Sequence, residues 1–244
     1  MVKNKILERM RNGEKALGVS LVEPSEILVE LAGRMGLDFV QFDGQHAPLT
    51  PEKIGVLCAI ADGFDITPIM RVPDQSESTI LSYLDKGIRL IVVPNLQTKA
   101  EAEALVKYTY FAPIGLRSST SIRTVFCQED GDRKRLFEEV NANTMLVPQL
   151  ESITSLENVD ELLSVDGIDF FTPGFEDQAQ SMGLVGQHDH PKVQEAWTKG
   201  ADRVRAAGKH ILGDHIETVD VFGLVLDSAQ ALLEKHGRRS ALGF

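Results

Sequence analysis

Short apolar runs rich in Val, Ile and Phe alternate along this chain with longer segments whose apolar residues recur at helical spacing. This alternation is typical of βα units arranged around a parallel sheet. The pattern predicts eight strands, at residues 16–22, 39–43, 67–72, 90–96, 144–151, 168–174, 210–214 and 222–227. We therefore expect an α/β fold.

The segments between the predicted strands carry residues that typically begin and end helices. Ser25 precedes one helical pattern and Gly36 follows it, while Thr50 and Pro51 open the next pattern and Gly63 closes it. Ser and Thr side chains cap the first backbone N–H groups of a helix, Pro suits its first turn, and Gly suits the residue after its end. These signals predict helices in the first two βα connections.

The number of βα units selects among the α/β folds. Eight units in 244 residues match the length of a (β/α)8 TIM barrel, for which about 250 residues are typical. A doubly wound open sheet is the alternative, but the first predicted strand lacks the G-x-G-x-x-G turn of dinucleotide-binding sheets. Only "HIETVDV" separates the last two predicted strands. We predict one barrel domain over residues 1–244, with a shortened seventh βα unit.

Charge and composition exclude several classes of partner. The net charge of −11 and the pI near 5.0 disfavour nucleic acid and anionic lipid surfaces. No apolar run of membrane-spanning length occurs, and the N-terminal residues lack a signal-peptide core. We therefore expect a soluble, cytoplasmic protein. Cys58 and Cys127 suggest neither a disulfide framework nor a CxxC metal site, so both are interpreted as structural.

Candidate chemistry collects at the carboxyl ends of the predicted strands, where barrel enzymes place their active sites. Carboxylates, an Arg and a His that converge there are typical of a divalent-metal site with an acid/base group beside it. The polar residues at or just beyond these ends are Asp43, His46, Arg71, Asn95, Gln97, Gln149, Glu151, Glu176 and Asp177.

Several of these residues also have structural interpretations. His46 taken alone fits a surface loop, Glu151 fits a cap for the following helix, and Asp177 fits one more acidic loop residue. Arg71 is harder to explain in this way because a guanidinium in an apolar strand keeps its charge. It must therefore meet a carboxylate, either the protein's own or a substrate's.

Six motifs follow one another along the chain: "DGQHAP", "IMRV", "VVPNLQ", "YTYFAPIGLRS", "QLE" and "PGFEDQAQSMG". In this order and spacing the chain resembles the HpcH/HpaI aldolase family from about residue 15 to 208. These are class II metal-dependent pyruvate aldolases, including 2,4-dihydroxyhept-2-ene-1,7-dioate and 2-keto-3-deoxy sugar acid aldolases. The resemblance implies a lyase of this type.

The resemblance also implies catalytic and metal-binding roles at the matching positions. Glu151 and Asp177 correspond to the carboxylate ligands of a Mg²⁺, Mn²⁺ or Co²⁺ ion. Arg71 corresponds to the group that binds the C2 oxygen and stabilises the enolate. His46 corresponds to the acid/base, with Asp85 as the carboxylate that orients it.

Three further positions correspond to the substrate-binding part of the family's site. Asp43 would hold a metal-bound water, Gln149 would hydrogen-bond the oxo acid, and Gly174 lies in the loop before Asp177. The implied reaction cleaves a 4-hydroxy-2-oxo acid to pyruvate, or a close 2-oxo acid, and an aldehyde through a metal-stabilised enolate. No predicted strand ends in the Lys that a Schiff-base aldolase needs.

The chain departs from the family pattern at some positions, which leaves alternatives open. Gln45 stands where the family usually has Glu, and "RSSTSIR" follows the loop where a Gly-rich stretch is usual. An oxaloacetate decarboxylase or a hydroxypyruvate-using aldolase would use the same ion and Arg. A CoA-ester lyase and a non-catalytic barrel with a retained metal site are further alternatives. By resemblance we expect a homo-oligomer, a hexamer or trimer of dimers that exchange C-terminal helices.

Overall fold

A computed structural model describes residues 3–23, 25–47, 49–119 and 131–241. Its strands are β1 (Ala16–Leu21), β2 (Phe39–Asp43), β3 (Thr67–Arg71), β4 (Leu90–Val93), β5 (Met145–Leu150), β6 (Phe170–Pro173), β7 (His210–Ile211) and β8 (Ile216–Asp220). They form one parallel sheet of order β7-β6-β5-β4-β3-β2-β1-β8. Consecutive strands from β1 to β7 are therefore neighbours, and β8 pairs with β1, so β7 and β8 form the two edges of the curled sheet.

Helices connect the strands, as the prediction of an α/β fold requires. They are α1 (Lys5–Arg11), α2 (Glu26–Arg34), α3 (Pro51–Gly63), α4 (Glu77–Leu84), α5 (Lys99–Thr109), α6 (Arg133–Asn143), α7 (Ile153–Glu157), α8 (Val159–Leu163), α9 (Phe175–Ser181), α10 (Pro191–Ala206) and α11 (Val221–Lys235). The side chains of Ser25 and Thr50 accept the N–H groups of Leu28 and Lys53, so both predicted caps are confirmed. Among the described residues, no helix combines the length and apolar character needed to cross a bilayer.

The strands bury two separate apolar layers because their side chains alternate between the two faces of the sheet. One layer lies inside the curled sheet and consists of Ile6, Ala16, Phe39, Ile69, Leu90, Val92, Met145, Val147, Phe170 and Leu212. Residues at the alternate strand positions, such as Val40, Met70 and Leu146, point to the other face of the sheet and pack against the helices. Cys58 of α3 is fully buried in that outer layer, which agrees with a structural role, whereas Cys127 lies outside the described residues.

Helix α1 lies across the end of the sheet where the strands begin. The Lys5 N–H donates to Thr67 Oγ1 (2.8 Å) at the start of β3, and Asn4 Nδ2 donates to the Asn143 carbonyl (3.1 Å) just before β5. Ile6 is fully buried in the inner layer. The carboxyl ends of the strands therefore form the opposite end of the interior.

The predicted eighth strand at residues 222–227 is wrong. Those residues belong to α11, and β8 instead occupies Ile216–Asp220, a polar segment that mostly remains exposed. The Asp220 carboxylate accepts the Gly223 N–H (2.8 Å), so it caps α11 and fixes where that helix begins. The first residues of α11 form a short apolar run that is typical of a buried strand, so the prediction placed a strand there. The true strand, β8, has no such run.

The sheet is built differently where β7 and β8 form its edges. Strand β7 has two residues and pairs only with the first half of β6, and a single 3-10 turn (Leu212–Asp214) leads from it to β8. The His215 and His210 rings meet there, with 3.3 Å between Nε2 and Nδ1. Both lie beside the Phe170 ring, His210 tilted against it and His215 edge-on to it. We call residues 210–220 the seam.

Candidate active site

Polar side chains continue the inner layer at the carboxyl ends of the strands. Each of them lies an even number of residues after an inner-layer residue of its strand: Asp43 after Phe39 on β2, Arg71 after Ile69 on β3, and Gln149 after Val147 on β5. Their side chains therefore point to the same, inner face of the sheet. Glu151 directly follows β5, and Gly174 directly follows β6. We call the end of the interior formed by Asp43, Arg71, Gln149, Glu151 and Gly174 the mouth.

Asp43 and Arg71 form a two-point ion pair at the mouth. The β2–β3 register places them opposite one another. Arg71 Nε donates to Asp43 Oδ1 at 3.0 Å, and Arg71 Nη2 donates to Oδ2 at 2.5 Å. Burial by itself would raise the pKa of Asp43, but the Arg71 hydrogen bonds and charge outweigh it and lower that pKa. The carboxylate that Arg71 requires is therefore the protein's own.

The loop after β2 is anchored to the same carboxylate. Asp43 Oδ1 also accepts the backbone N–H groups of Gln45 (3.0 Å) and His46 (3.3 Å). The His46 residue is exposed. Its backbone is thus fixed beside the ion pair while its imidazole remains accessible. Gln45 Oε1 is buried without a hydrogen-bond partner.

Glu151 is a buried carboxylate with one fixed donor. It is 5% exposed, and its Oε1 accepts the Asn95 N–H at 2.7 Å. Burial and the negative charge of Asp177 raise the pKa of Glu151, against the opposing effects of the Asn95 N–H and the Arg71 charge. Gly174 leaves room for this carboxylate, because a Cβ at that position would lie 2.1 Å from Glu151 Oε2.

Asp177 and Gln149 offer further oxygen atoms that fit a divalent cation. Asp177 lies exposed in the first turn of α9, near enough to Glu151 to influence its pKa. Gln149 is 4% exposed; its Nε2 donates to the Pro173 carbonyl (3.3 Å), while its Oε1 is buried without a partner. Two carboxylates and an unpaired amide oxygen are hard oxygen donors of the kind that Mg²⁺ and Mn²⁺ prefer. In the described part of the chain, no group of three or more His, Cys, Asp and Glu residues is arranged to hold a metal ion.

The structure does not bring Asp85 to His46 within the chain. Asp85 follows the last residue of α4, and α4 runs from the mouth back toward the end of the sheet where β4 begins. There its Oδ1 accepts a hydrogen bond from Arg117 Nη2 at 2.7 Å, and the Arg117 guanidinium lies over the Phe111 ring. The orienting contact implied by the resemblance therefore has no counterpart inside one chain. Residues 120–130, which include most of "RSSTSIR", lie outside the described residues.

One contributor to the site was not assigned a role from the sequence. Gln75, in the loop between β3 and α4, donates through Nε2 to the carbonyls of Pro94 (2.9 Å) and Asn95 (2.7 Å). Asn95 is the residue whose N–H donates to Glu151. Nothing in the sequence around Gln75 marks it as different from an ordinary polar loop residue.

The fold and the mouth define an α/β protein with a parallel, barrel-like sheet and an acidic site at its carboxyl end. Residues 19–244 match the family described as HpcH/HpaI aldolase/citrate lyase, and the chain belongs to this family. The chain is 31% identical over 209 residues to the 2-keto-3-deoxy-L-rhamnonate aldolase of Escherichia coli O17:K52:H18 (strain UMN026 / ExPEC), which covers 86% of this chain and 78% of that protein.

Solved structures of two other bacterial proteins have the same fold. An HpcH/HpaI aldolase from Desulfitobacterium hafniense DCB-2 superposes with a TM-score of 0.87 at 19% identity, covering all of both chains. An HpcH/HpaI aldolase/citrate lyase family protein from Burkholderia cenocepacia J2315 gives 0.82 at 24% identity, covering 96% of this chain and 100% of the other. The predicted family membership is confirmed, and the chain is a lyase.

Proposed function

We propose that the protein is a divalent-metal-dependent aldolase that cleaves a 4-hydroxy-2-oxo acid to pyruvate, or a close 2-oxo acid, and an aldehyde. The observation that carries this proposal is the convergence of three charges at the mouth. Asp177 and Arg71 both lie near enough to the buried Glu151 carboxylate to influence its pKa. The catalytic unit we propose is the whole chain, as one barrel domain with a shortened seventh βα unit.

Glu151 and Asp177 would hold the cation, which we take to be Mg²⁺, Mn²⁺ or Co²⁺. When bound, such an ion supplies a Lewis acid for the 2-oxo group. Arg71 gives two of its N–H groups to Asp43 and has others left to place positive charge where the C2 oxyanion develops. Asp43 keeps that guanidinium in a fixed orientation, so little reorganisation is needed as the charge grows.

His46 is the proposed acid/base for the C4 hydroxyl proton. An imidazole titrates near neutral pH without large tuning, and this one is exposed at the mouth on a backbone anchored to Asp43. Asp85 would serve it only across an interface between two copies of the chain, because within one chain it lies at the other end of α4. We accordingly propose a homo-oligomer, with the family's hexamer as the expected form, in the cytoplasm.

The substrate class follows from the relatives and from the mouth. The Escherichia coli relative is named for a 2-keto-3-deoxy sugar acid, and at 31% identity we propose the broader class of 4-hydroxy-2-oxo acids for this chain. A second candidate is a hydroxypyruvate-using aldolase. It is favoured by the unpaired, buried Gln149 Oε1, which needs a hydrogen-bond donor such as the hydroxyl of that oxo acid.

Proton exchange from pyruvate in D₂O tests the proposal most directly. With Mn²⁺ present, we expect the methyl protons of pyruvate to exchange, and Glu151→Gln to abolish the exchange together with Mn²⁺ binding measured by calorimetry. No Mn²⁺ binding by the unchanged protein would contradict the metal-dependent function. Exchange of hydroxypyruvate but not pyruvate would favour the second candidate, and turnover of oxaloacetate without either exchange would indicate a decarboxylase.

A further inference from the structure

The residue that donates to Glu151 has an unusual backbone conformation. Asn95 has a φ of 56°, in the left-handed region that non-glycine residues rarely adopt and that Asn tolerates better than most. This conformation directs its N–H at Glu151 Oε1 (2.7 Å). Residues in this region persist where the surrounding structure holds them, and they concentrate at functional sites.

Side chains from two other segments hold this turn. Gln75 Nε2 binds both the Pro94 and the Asn95 carbonyls, and Gln97 Nε2 donates to Asn95 Oδ1 at 2.7 Å. The Gln97 carbonyl in turn accepts from Asn158 Nδ2 at 2.9 Å. Of these side chains, only Gln75 comes from the β3–α4 loop, which begins directly after Arg71. It reaches from that loop to the turn whose N–H donates to Glu151.

We propose that Gln75 is a positioning residue for Glu151, acting through the left-handed turn at Asn95. This inference rests on the proposed function, in which Glu151 is a metal ligand. Without the two Gln75 hydrogen bonds, the Pro94 and Asn95 carbonyls lose their common donor and the turn relaxes toward ordinary backbone angles. The Asn95 N–H then swings away from Glu151, and the carboxylate loses the contact that fixes one of its oxygens. Partners that orient a metal ligand in this way typically contribute about 10- to 100-fold to metal affinity.

Calorimetric titration of the full chain with Mn²⁺ tests the role of Gln75. Gln75→Met keeps the length of the side chain and removes the donor. The matched control is Asn143→Leu, which removes another amide-to-carbonyl hydrogen bond, from Nδ2 to the Glu139 carbonyl (2.9 Å), at the opposite end of the sheet. We expect both variants to melt at lower temperature than the parent, and only Gln75→Met to bind Mn²⁺ at least about tenfold more weakly.

A pair of substitutions at Asn95 tests whether the turn transmits the effect. Gly adopts the left-handed conformation readily and a β-branched Val does not. Asn95→Val should therefore weaken Mn²⁺ binding more than Asn95→Gly does. Mn²⁺ affinity in Gln75→Met equal to that of the parent, with a lowered melting temperature, would overturn the positioning role and leave the proposed function standing. No Mn²⁺ binding by the parent would overturn both.

Discussion

The mouth and the seam each contain an Asp that accepts two hydrogen bonds from one Arg: Asp43 from Arg71 at the mouth, and Asp214 of the seam from Arg205 of α10. The two pairs differ mainly in burial. The Arg71 and Asp43 side chains are 26% and 11% exposed, whereas the Arg205 and Asp214 side chains are 47% and 43% exposed. Arg205 Nε and Nη2 reach the two Asp214 oxygens at 2.9 and 3.0 Å, so the geometry of both pairs is good. Because the pairing geometry is similar, we expect burial to decide how much each pair contributes to stability and to activity.

The same contrast extends to the surrounding structure. At the mouth, two strands in register and a buried carboxylate hold the charges in a site largely shielded from water. At the seam, β8 is mostly exposed and β7 is two residues long. Fixed charges in a water-excluded site stabilise developing charge far better than solvated ones. We therefore expect the same substitution to have a larger effect at the mouth than at the seam.

The largest expected effect comes from changing the guanidinium at the mouth. Arg71→Lys keeps the positive charge but loses the fork that binds Asp43 at two points. We expect pyruvate proton exchange to slow by at least about a hundredfold, the usual cost of losing one preorganised donor. Arg205→Lys should change the rate less than about twofold, since exposed pairs contribute little. Equal rates for Arg71→Lys and the parent would remove Arg71 from the proposed mechanism.

Removing the acidic partner should lower the free energy of unfolding more for the Arg71–Asp43 pair than for the Arg205–Asp214 pair. Asp43→Asn leaves a largely buried guanidinium without its counter-charge, and urea unfolding should show a loss of about 2–3 kcal/mol. Asp214→Asn should lose less than about 1 kcal/mol.

The contribution of Asp43 should also depend on pH with a definite sign. The folded protein lowers the pKa of Asp43, so the pair stabilises the fold above the ordinary Asp range near pH 4. That stabilisation is lost as pH falls through the folded pKa. The difference between the parent and Asp43→Asn should therefore shrink below about pH 4, and a constant difference down to pH 2 would contradict this interpretation.

Two Gly→Ala substitutions compare the space around the backbone. A Cβ at Gly174 would lie 2.1 Å from Glu151 Oε2 and 2.7 Å from its Cβ, whereas a Cβ at Gly213 in the seam has nothing within 4 Å. Gly174→Ala should displace the carboxylate and weaken Mn²⁺ binding by about tenfold, comparable to other disturbances around a metal ligand. Gly213→Ala should bind Mn²⁺ as the parent does. Calorimetry on both variants distinguishes a steric requirement from a general effect of Ala.

The smallest expected effect is at the seam itself. Burial first, and then the charge of nearby His210, lowers the pKa of His215. Between that pKa and the ordinary value near 6.5, the unfolded chain binds more protons than the folded one, so stability falls as pH drops below about 7. His215→Gln should reduce this fall by about 1–2 °C in melting temperature between pH 7 and pH 5. His236→Gln, at the exposed end of α11, is the control and should leave the fall unchanged.

The sequence predicted the elements best where local rules and packing agree. Strand β2 was placed correctly because its apolar residues and flanking turns are unambiguous, and α3 begins and ends where Thr50 and Gly63 indicated. Strand β8 was misplaced because its residues are polar and exposed, so it gives no periodic apolar signal. The apolar residues of α11 then took its place in the prediction.

The candidate site divides in the same way. The sequence by itself determined which residue types stand at the strand ends, among them Asp43, Arg71 and Glu151, because strand position and side-chain parity are local properties. Only the tertiary structure decided which of them meet. It paired Arg71 with Asp43 through strand register, placed Asp85 at the far end of α4, and linked Gln75 to Glu151 through a left-handed turn. Contacts between distant segments depend on the curvature of the sheet and on loop geometry, and neither has a periodic signature in the chain.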